Sequence, residues 1–285
     1  MLKLALLVFC FLIAVLGSRL GSAVEAQPAP ELGGWKPPPE LKPLIHAHAH
    51  NDYAHPHPLV DALDHRFCSV EADIFLVNGE LLVAHNRSAV RPGRTLQSLY
   101  LDPLQRRIKQ NGGRVYPGGP ECTLLIDIKS DWHALYPVLR GVLARYADIL
   151  TTFSDGRATT NALRVIISGN RSLEMFEDEK IRYAAFDGNL EQIESKAPAS
   201  LMPWISANWF QSFHWQGKGS MPLDEKSRLK GLVEKAHAHG RKLRFWGAPD
   251  QPNFWREMLD DGVDLINTDD LAGLQRFFEL RAKGK

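Results

Sequence analysis

The chain has 285 residues, of which 44% are hydrophobic and 24% charged, with 34 Lys and Arg against 33 Asp and Glu. This balance argues against a nucleic-acid-binding protein, which typically carries a basic excess, and against a disordered chain, which combines low hydrophobicity with high net charge. The 22 glycines and 18 prolines are ordinary for this length, so collagen-like and low-complexity classes are excluded and a globular enzyme is favoured.

The N-terminus has the pattern of a secretory signal peptide. Lys3 supplies positive charge, and the apolar run Leu4–Leu16 is 13 residues long, which is short for a membrane span. Val24 and Ala26 occupy the −3 and −1 positions of a cleavage site. We therefore predict a signal peptide over 1–26, with an uncleaved anchor as the alternative. The mature chain is expected to be secreted or periplasmic, without stable membrane insertion.

Residues 27–43 are rich in proline and lack periodicity, so we predict a spacer before one domain over 44–285. Within that domain, short apolar runs alternate with helical patterns. Eight strands are predicted, at Leu44–Ala49, Cys68–Leu76, Thr123–Ile128, Leu163–Ser168, Ile181–Phe186, Trp204–Ala207, Leu243–Trp246 and Val263–Asn267. Eight strands alternating with helices predict a (β/α)8 TIM barrel, and an open doubly wound sheet is the alternative.

Three carboxylates fall on two neighbouring predicted strands. Glu71 and Asp73 share one strand face because side chains alternate with a period of two. Asp127 ends the next strand along the chain, between apolar residues. Inward-facing carboxylates repel one another and are costly to bury unless a cation neutralises them. The cluster predicts a hard divalent cation, Mg²⁺ or Ca²⁺; a solvated strand end is the alternative for the first two acids alone.

Polar side chains end most of the other predicted strands as well, where the active site of a TIM barrel forms. His85 follows the second arm of a hairpin that is predicted to turn at Asn78-Gly79. The remaining strand-end residues are His48, His50, Asn51, Lys129, Ser168, Asn170, Asp187, Asn208, Trp246, Asn267 and Asp269.

These residues together resemble the phospholipase C-like phosphodiesterases, which include glycerophosphodiester phosphodiesterases and phosphatidylinositol-specific phospholipases C. The superfamily uses a TIM barrel, a divalent metal held by Glu-x-Asp and a further acid, and two histidines. HAHNDY, SVEADIFL, RVIISGNR, LRFWGAPD and GVDLINTDDL are most similar to the altered-inheritance-of-mitochondria type branch. The resemblance rests on His50-Asn51-Asp52-Tyr53, Glu71-Ala72-Asp73, the Gly79–His85 segment and Asp127-Ile128-Lys129, in that order.

This resemblance implies metal-dependent cleavage of a small-molecule or lipid-derived phosphodiester. It makes His50 and His85 the acid–base pair. Lys129 would hold a phosphate oxygen and Trp246 would stack on the organic portion, with Asn170, Asp187 and His48 as further substrate-binding candidates. The implied metal ligands are Glu71, Asp73, Asp127 and Asn51.

The chain departs from the glycerophosphodiesterase motifs at two places, so the resemblance does not identify the substrate. Glycerophosphodiesterases usually have His-Arg-Gly where this chain has His50-Asn51-Asp52, and Glu where it has Asp127. His-Asn instead resembles eukaryotic phospholipases C, whose Asn binds the metal. The sequence has no long amphipathic or basic helix of the membrane-binding kind, which favours a soluble diester over bilayer lipid.

Two other functions fit parts of the pattern. A metal hydrolase of the amidohydrolase or polymerase-histidinol-phosphatase type would use His48 and His50 as a His-x-His motif and Asp269 after the last strand. It also needs histidines after the fifth and sixth strands, where this chain has Asp187 and Asn208. The other alternative is a barrel that binds a phosphorylated or sugar ligand without turnover.

Cys68 and Cys122 open neighbouring predicted strands. A disulfide between them needs Cα atoms closer than about 7 Å and convergent side chains, so we predict free thiols. A monomer that does not bind nucleic acid is expected.

Overall fold

Eight parallel strands close into a barrel in the computed structural model, which describes residues 42–284. The predicted signal peptide and all but the last two residues of the predicted spacer lie outside that range. Twelve strands are formed in these residues: β1 (Leu44–Ala49), β2 (Phe67–Val77), β3 (Glu80–Val83), β4 (Cys122–Ile128), β5 (Thr152–Ser154), β6 (Arg157–Thr159), β7 (Leu163–Gly169), β8 (Ile181–Arg182), β9 (Ala185–Gly188), β10 (Trp204–Asn208), β11 (Lys242–Trp246) and β12 (Leu265–Thr268).

The barrel runs in the order β1, β2, β4, β7, β9, β10, β11 and β12, and every neighbouring pair is parallel. Pairing of β12 with β1 closes it. The predicted TIM barrel is therefore confirmed, and the open doubly wound sheet is excluded.

Helices follow most barrel strands and cover the outside of the barrel. Leu135 and Leu139 on one helix, and Leu229 and Val233 on another, are buried against it, as their helical spacing predicts. No helix within residues 42–284 combines the length and the apolar character needed to cross a membrane. The helices are α1 (Val60–Asp64), α2 (Asp102–Gln110), α3 (Trp132–Ala144), α4 (Trp209–Ser212), α5 (Leu223–Ala238), α6 (Pro252–Asp260) and α7 (Leu271–Ala282).

The alternation of side chains along the strands divides the core into two parts. Leu124 and Ile126 belong to the large apolar cluster that includes the helices. Leu125 belongs to a separate cluster and, two residues from Asp127, faces the same side of β4. Apolar side chains thus fill the barrel interior below the carboxylate. The separate cluster consists of Leu125, Phe153, Ile166, Ala185, Trp204 and Leu265.

The second strand continues beyond the barrel and turns back as a hairpin. Asn78 and Gly79 have φ angles of 51° and 82°, and Val77 pairs with Glu80, as in a two-residue turn of type I′. The predicted turn is therefore confirmed. At the end of β3 the Ala84 amide donates to the Asp73 carbonyl over 3.1 Å, which returns the chain to the barrel mouth just before His85.

The strand predicted over Ile181–Phe186 is wrong in extent. Its first part, β8, pairs with β5 in a separate three-stranded sheet of order β6-β5-β8, and only β9 belongs to the barrel. The Arg182 guanidinium lies 4.5 Å from the centre of the Phe153 ring and donates to the Ala184 carbonyl over 2.9 Å. These contacts hold Arg182 outside the barrel, so the apolar run is interrupted between the two strands.

Candidate active site

The three predicted acidic ligands meet at the carboxyl ends of β2 and β4. Asp73 and Asp127 are opposite each other in the strand register, and Glu71 lies two residues before Asp73 on the same face. One oxygen from each carboxylate lies within 4.8 Å of the other two. Oδ1 of Asp73 is buried and has no hydrogen-bond partner among residues 42–284. Because a buried, unpartnered oxygen is costly, these residues fit a divalent cation.

The pKa values of the three acids are shifted in different directions because their neighbours differ. Burial and the charge of Glu71 raise the pKa of Asp73 to about 6. Burial also raises the pKa of Asp127, although Lys129 opposes that shift. Burial alone would raise the pKa of Glu71, but the hydrogen bond from His48 and the charge of Arg244 outweigh it and lower that pKa. Glu71 is thus ionised near neutral pH, and the other two acids are stabilised by added positive charge.

His48 lies behind Glu71 and does not reach the cavity at the barrel mouth. Its side chain is fully buried, with Nδ1 at 2.7 Å from Ser69 Oγ and Nε2 at 3.0 Å from Glu71 Oε2. Burial and the nearby Arg244 lower the pKa of His48 to about 4. The substrate contact predicted for His48 is therefore not available, and the residue instead holds the Glu71 carboxylate in place.

The same contacts argue against a His-x-His metal site. Within the described part of the chain, the acids Glu71, Asp73 and Asp127 make up the only group of three or more potential metal-binding side chains. His48 and His50 contact different carboxylates, Glu71 and Asp269.

His50 is held by the loop that follows the last strand. Its Nδ1 lies 2.9 Å from Asp269 Oδ1 and 3.0 Å from the side-chain amide of Asn51. The Asp269 amide in turn donates to Asp250 Oδ2 over 2.9 Å, which fixes the loop. Burial would lower the pKa of His50, but the Asp269 hydrogen bond and the charge of Glu71 raise it overall. With Nδ1 engaged, Nε2 is the ring atom that can exchange a proton in the cavity.

His85 lies on the other side of the acids and is largely exposed. Its Nδ1 is 2.9 Å from the Tyr53 hydroxyl and 3.3 Å from Asp73 Oδ2. The Tyr53 hydroxyl also donates to Asp73 over 2.6 Å and contacts the Asn51 side chain. Sequence reasoning did not assign a role to Tyr53, although the residue stands in the His50-Asn51-Asp52-Tyr53 motif. The tyrosine thus connects His85, Asp73 and Asn51.

Three cationic side chains reach the same region. Lys129 Nζ lies 3.1 Å from Asp73 Oδ2 and 3.1 Å from Asp127 Oδ1. Arg171 and Arg244, which the sequence analysis did not select, approach from β7 and β11. No sequence signal distinguishes these two arginines from the others: Arg171 follows β7, and Arg244 lies in the middle of β11.

These groups line one cavity of about 370 Å³ at the barrel mouth. Asn170 is exposed and donates to the Ser130 carbonyl over 3.0 Å, so it lies outside the lining. Asp73 is fully buried and does not line the cavity. The lining contains the predicted His50, Asn51, Glu71, His85, Asp127, Lys129, Asp187 and Trp246, together with Ser168, Gly169, Arg171, Ser206 and Arg244.

A larger groove, of about 760 Å³, lies between α6 and α7. It contains none of the predicted site residues, and its lining includes Arg256, Arg276 and Phe277. The cavity at the barrel mouth, in contrast, brings Glu71, Asp127, His50 and His85 together.

The chain is similar to several known proteins. Altered inheritance of mitochondria protein 6 of Eremothecium gossypii is 31% identical over 274 residues, which cover 82% of this chain and 69% of that protein. Its homologue from Arthroderma benhamiae is 27% identical, over 82% of this chain and 84% of that protein. A solved glycerophosphodiester phosphodiesterase from Parabacteroides distasonis is similar over 85% of this chain and 99% of its own, at 14% identity and a TM-score of 0.47.

Two families match separate parts of the chain. Residues 242–272 match the glycerophosphoryl diester phosphodiesterase family. Residues 40–187, which form more than half of the chain, match the AIM6-like phosphodiesterase domain. Together with the 31% identity to the Eremothecium protein, this match shows that the chain belongs to the family of AIM6-like phosphodiesterase domains.

Proposed function

We propose that this protein is a metal-dependent phosphodiesterase that cleaves a small, soluble phosphodiester with two histidines as general acid and base. The main support is that one cavity of about 370 Å³ brings His50 and His85 together with the cation-binding acids. Glu71, Asp73 and Asp127 would hold one divalent ion, Mg²⁺ or Ca²⁺, and Asn51 would complete the ligand set. When bound, this ion supplies positive charge that neutralises the phosphoryl oxygens and favours ionisation of the attacking hydroxyl.

His50 is the proposed general base. Asp269 engages Nδ1 and leaves Nε2 to accept the proton of the attacking hydroxyl or water. The same hydrogen bond stabilises the imidazolium that results, in agreement with the raised pKa of His50. Asp250 supports this geometry because it holds the Asp269 backbone.

His85 is the proposed general acid, which protonates the departing alkoxide. The Tyr53 hydroxyl and Asp73 lie beside its Nδ1, so Nε2 is the atom that would donate the proton. Its side chain is 65% exposed, so solvent can restore the proton after each turnover.

The alcohol portions of the substrate would lie toward the cavity rim. Trp246 is 40% exposed there and offers an aromatic face for stacking. Lys129 contacts Asp73 and Asp127. When a bound ion also contacts these two acids, the Lys129 ammonium would be able to hold a phosphate oxygen. The predicted signal peptide supports action on a diester outside the cytoplasm, and we expect the enzyme to be a monomer.

The test is a panel of phosphodiesters followed by phosphorus NMR, with Mg²⁺ or Ca²⁺ present and again after chelation. The panel contains glycerophosphodiesters, lysophospholipids and a bis-alkyl phosphate. We expect a new phosphomonoester or cyclic phosphate resonance from at least one substrate, and its loss with chelator. Glu71→Gln should be inactive, whereas Glu80→Gln, an exposed substitution on the hairpin, should retain activity. Cleavage that is indifferent to chelation, or absent from the whole panel, would contradict the proposal.

A further inference from the structure

Arg171 is fixed so that one of its nitrogens remains available to the cavity. Its Nε donates to the Asp187 carbonyl over 2.6 Å, and its Nη1 donates to the Gly169 carbonyl over 2.9 Å. The remaining nitrogen, Nη2, is 4.0 Å from Asp187 Oδ2, beyond hydrogen-bonding distance. The guanidinium also lies 5.1 Å from the centre of the Phe186 ring. Arg171 therefore presents a rigid, incompletely used donor.

Arg244 has the same property, although only 3% of the residue is exposed. Its Nε donates to Ser206 Oγ over 3.1 Å. Its Nη1 lies 2.7 Å from His48 Nε2, 3.2 Å from Glu71 Oε2 and 3.0 Å from Asn267 Oδ1. Its Nη2 makes no hydrogen bond with any residue of the range 42–284, and this nitrogen is not completely buried.

Asp187 joins the two arginines into one unit. Its carboxylate is fully buried and accepts from Ser168 over 3.0 Å and from Ser206 over 2.7 Å. Because Ser206 also accepts from Arg244, a continuous chain of hydrogen bonds runs from Arg244 through Asp187 toward Arg171. The carboxylate is linked to Arg244 through Ser206 and lies 4.0 Å from Arg171 Nη2, so we assign it a positioning role between the two arginines.

We infer that Arg171 and Arg244 form a subsite for the non-bridging oxygens of the phosphoryl group, on the part of the cavity lining that adjoins Glu71. The inference rests on the proposed function for the identity of the anion. Planar guanidinium groups match phosphoryl oxygens well, and prior anchoring reduces the entropy lost on binding. The subsite revises the predicted role of Asp187, which becomes a positioning residue for the arginines. It also gives the phosphoryl group a second set of cationic contacts besides Lys129.

Calorimetric titration with inorganic phosphate, in buffer containing Mg²⁺, tests the subsite without any turnover. Arg171→Met and Arg244→Lys should each weaken phosphate binding about 10-fold, the scale of one lost hydrogen bond to a charged group. Arg87→Met is the matched control, because Arg87 is exposed on the loop after β3, and it should change the affinity by less than about twofold. Urea unfolding of each variant verifies folding, and the lysine variant retains the buried charge beside Glu71.

A separate Mg²⁺ titration distinguishes phosphate contact from support of Glu71. If Arg244 contacts the anion, Arg244→Lys loses phosphate affinity while its affinity for the ion changes much less. Equal loss of both affinities, or unchanged phosphate binding in both arginine variants, overturns the subsite. Arginine-dependent phosphate binding by a protein that cleaves no diester would instead support the subsite and contradict the phosphodiesterase proposal.

Discussion

Substitution of Gly169 by alanine tests how the backbone positions the third acid. Gly169 ends β7 with a φ of +74°, in the left-handed region that side chains other than hydrogen disfavour. A Cβ at this position would lie 2.1 Å from Asp127 Oδ1 and 2.5 Å from the Ile128 carbonyl oxygen. Since the backbone of β4 cannot move away easily, the Asp127 carboxylate has to leave its place beside Asp73.

A matched glycine separates the two contributions to the stability lost in Gly169→Ala, the backbone penalty and the steric overlap. Gly112 has a nearly identical φ of +71°, is exposed, and has no atom within 4 Å of a built Cβ. Gly112→Ala should therefore cost only the left-handed backbone penalty, about 1–2 kcal/mol in the free energy of unfolding. Gly169→Ala should cost that amount and, from the steric overlap, about 1–3 kcal/mol more.

Urea unfolding measures the two stabilities, and calorimetric titration with Mg²⁺ or Ca²⁺ measures ion affinity. We expect Gly169→Ala to bind the ion about 10- to 100-fold more weakly, as for disturbed support of a metal ligand, and Gly112→Ala to match the wild type. Equal stability losses in the two variants, together with wild-type ion affinity in Gly169→Ala, would refute the reasoning.

Three further outcomes are expected. His50→Ala and His85→Ala should each lower kcat at least about 100-fold and His48→Ala far less, and a nitrophenyl diester should rescue only His85→Ala; a His48→Ala variant as inactive as His50→Ala would contradict these roles. Burial raises the pKa of Asp52 from 3.8 to about 7, so its contribution to stability is complete below pH 3.8 and lost as the pH rises through 7. As the pH rises from 3.8 to above 7, the free energy of unfolding of the wild type should fall by up to about 4 kcal/mol more than that of Asp52→Asn; parallel curves of unfolding free energy against pH would exclude this titration. The two buried cysteines should give equal thiol counts before and after reduction; two extra thiols after reduction would reveal a disulfide.

The barrel and the acid cluster could be predicted because both depend on local periodicity. Continuous apolar runs mark buried parallel strands, and a period of two places Glu71 and Asp73 on one face wherever the strand begins. The register that sets Asp73 beside Asp127 follows from neighbouring strands in a closed barrel.

The errors concern contacts that no local pattern specifies. Arg244 acquires its place only because β11 closes the barrel near Glu71, so its sequence neighbourhood gives no warning. His48 shares a strand face with His50, as the period of two predicts, yet the depth at which it lies in the barrel and its contact with Glu71 come from the tertiary structure. The β5–β6 hairpin is the exception, because it has a local signal that the predicted strands do not include: Asp155-Gly156, with φ angles of 50° and 73°, is a recognisable two-residue turn.

Metal-stimulated turnover by Asp127→Asn tests the central claim most directly, because this substitution removes one ligand charge with almost no change in shape. The assay follows the best-cleaved diester by phosphorus NMR across a titration of Mg²⁺ or Ca²⁺. Asp155→Asn, at an exposed turn where asparagine also favours the left-handed conformation, is the matched control. We predict that Asp127→Asn shows neither stimulation by the ion nor measurable cleavage, while Asp155→Asn equals the wild type. Full metal-stimulated activity in Asp127→Asn would contradict the account.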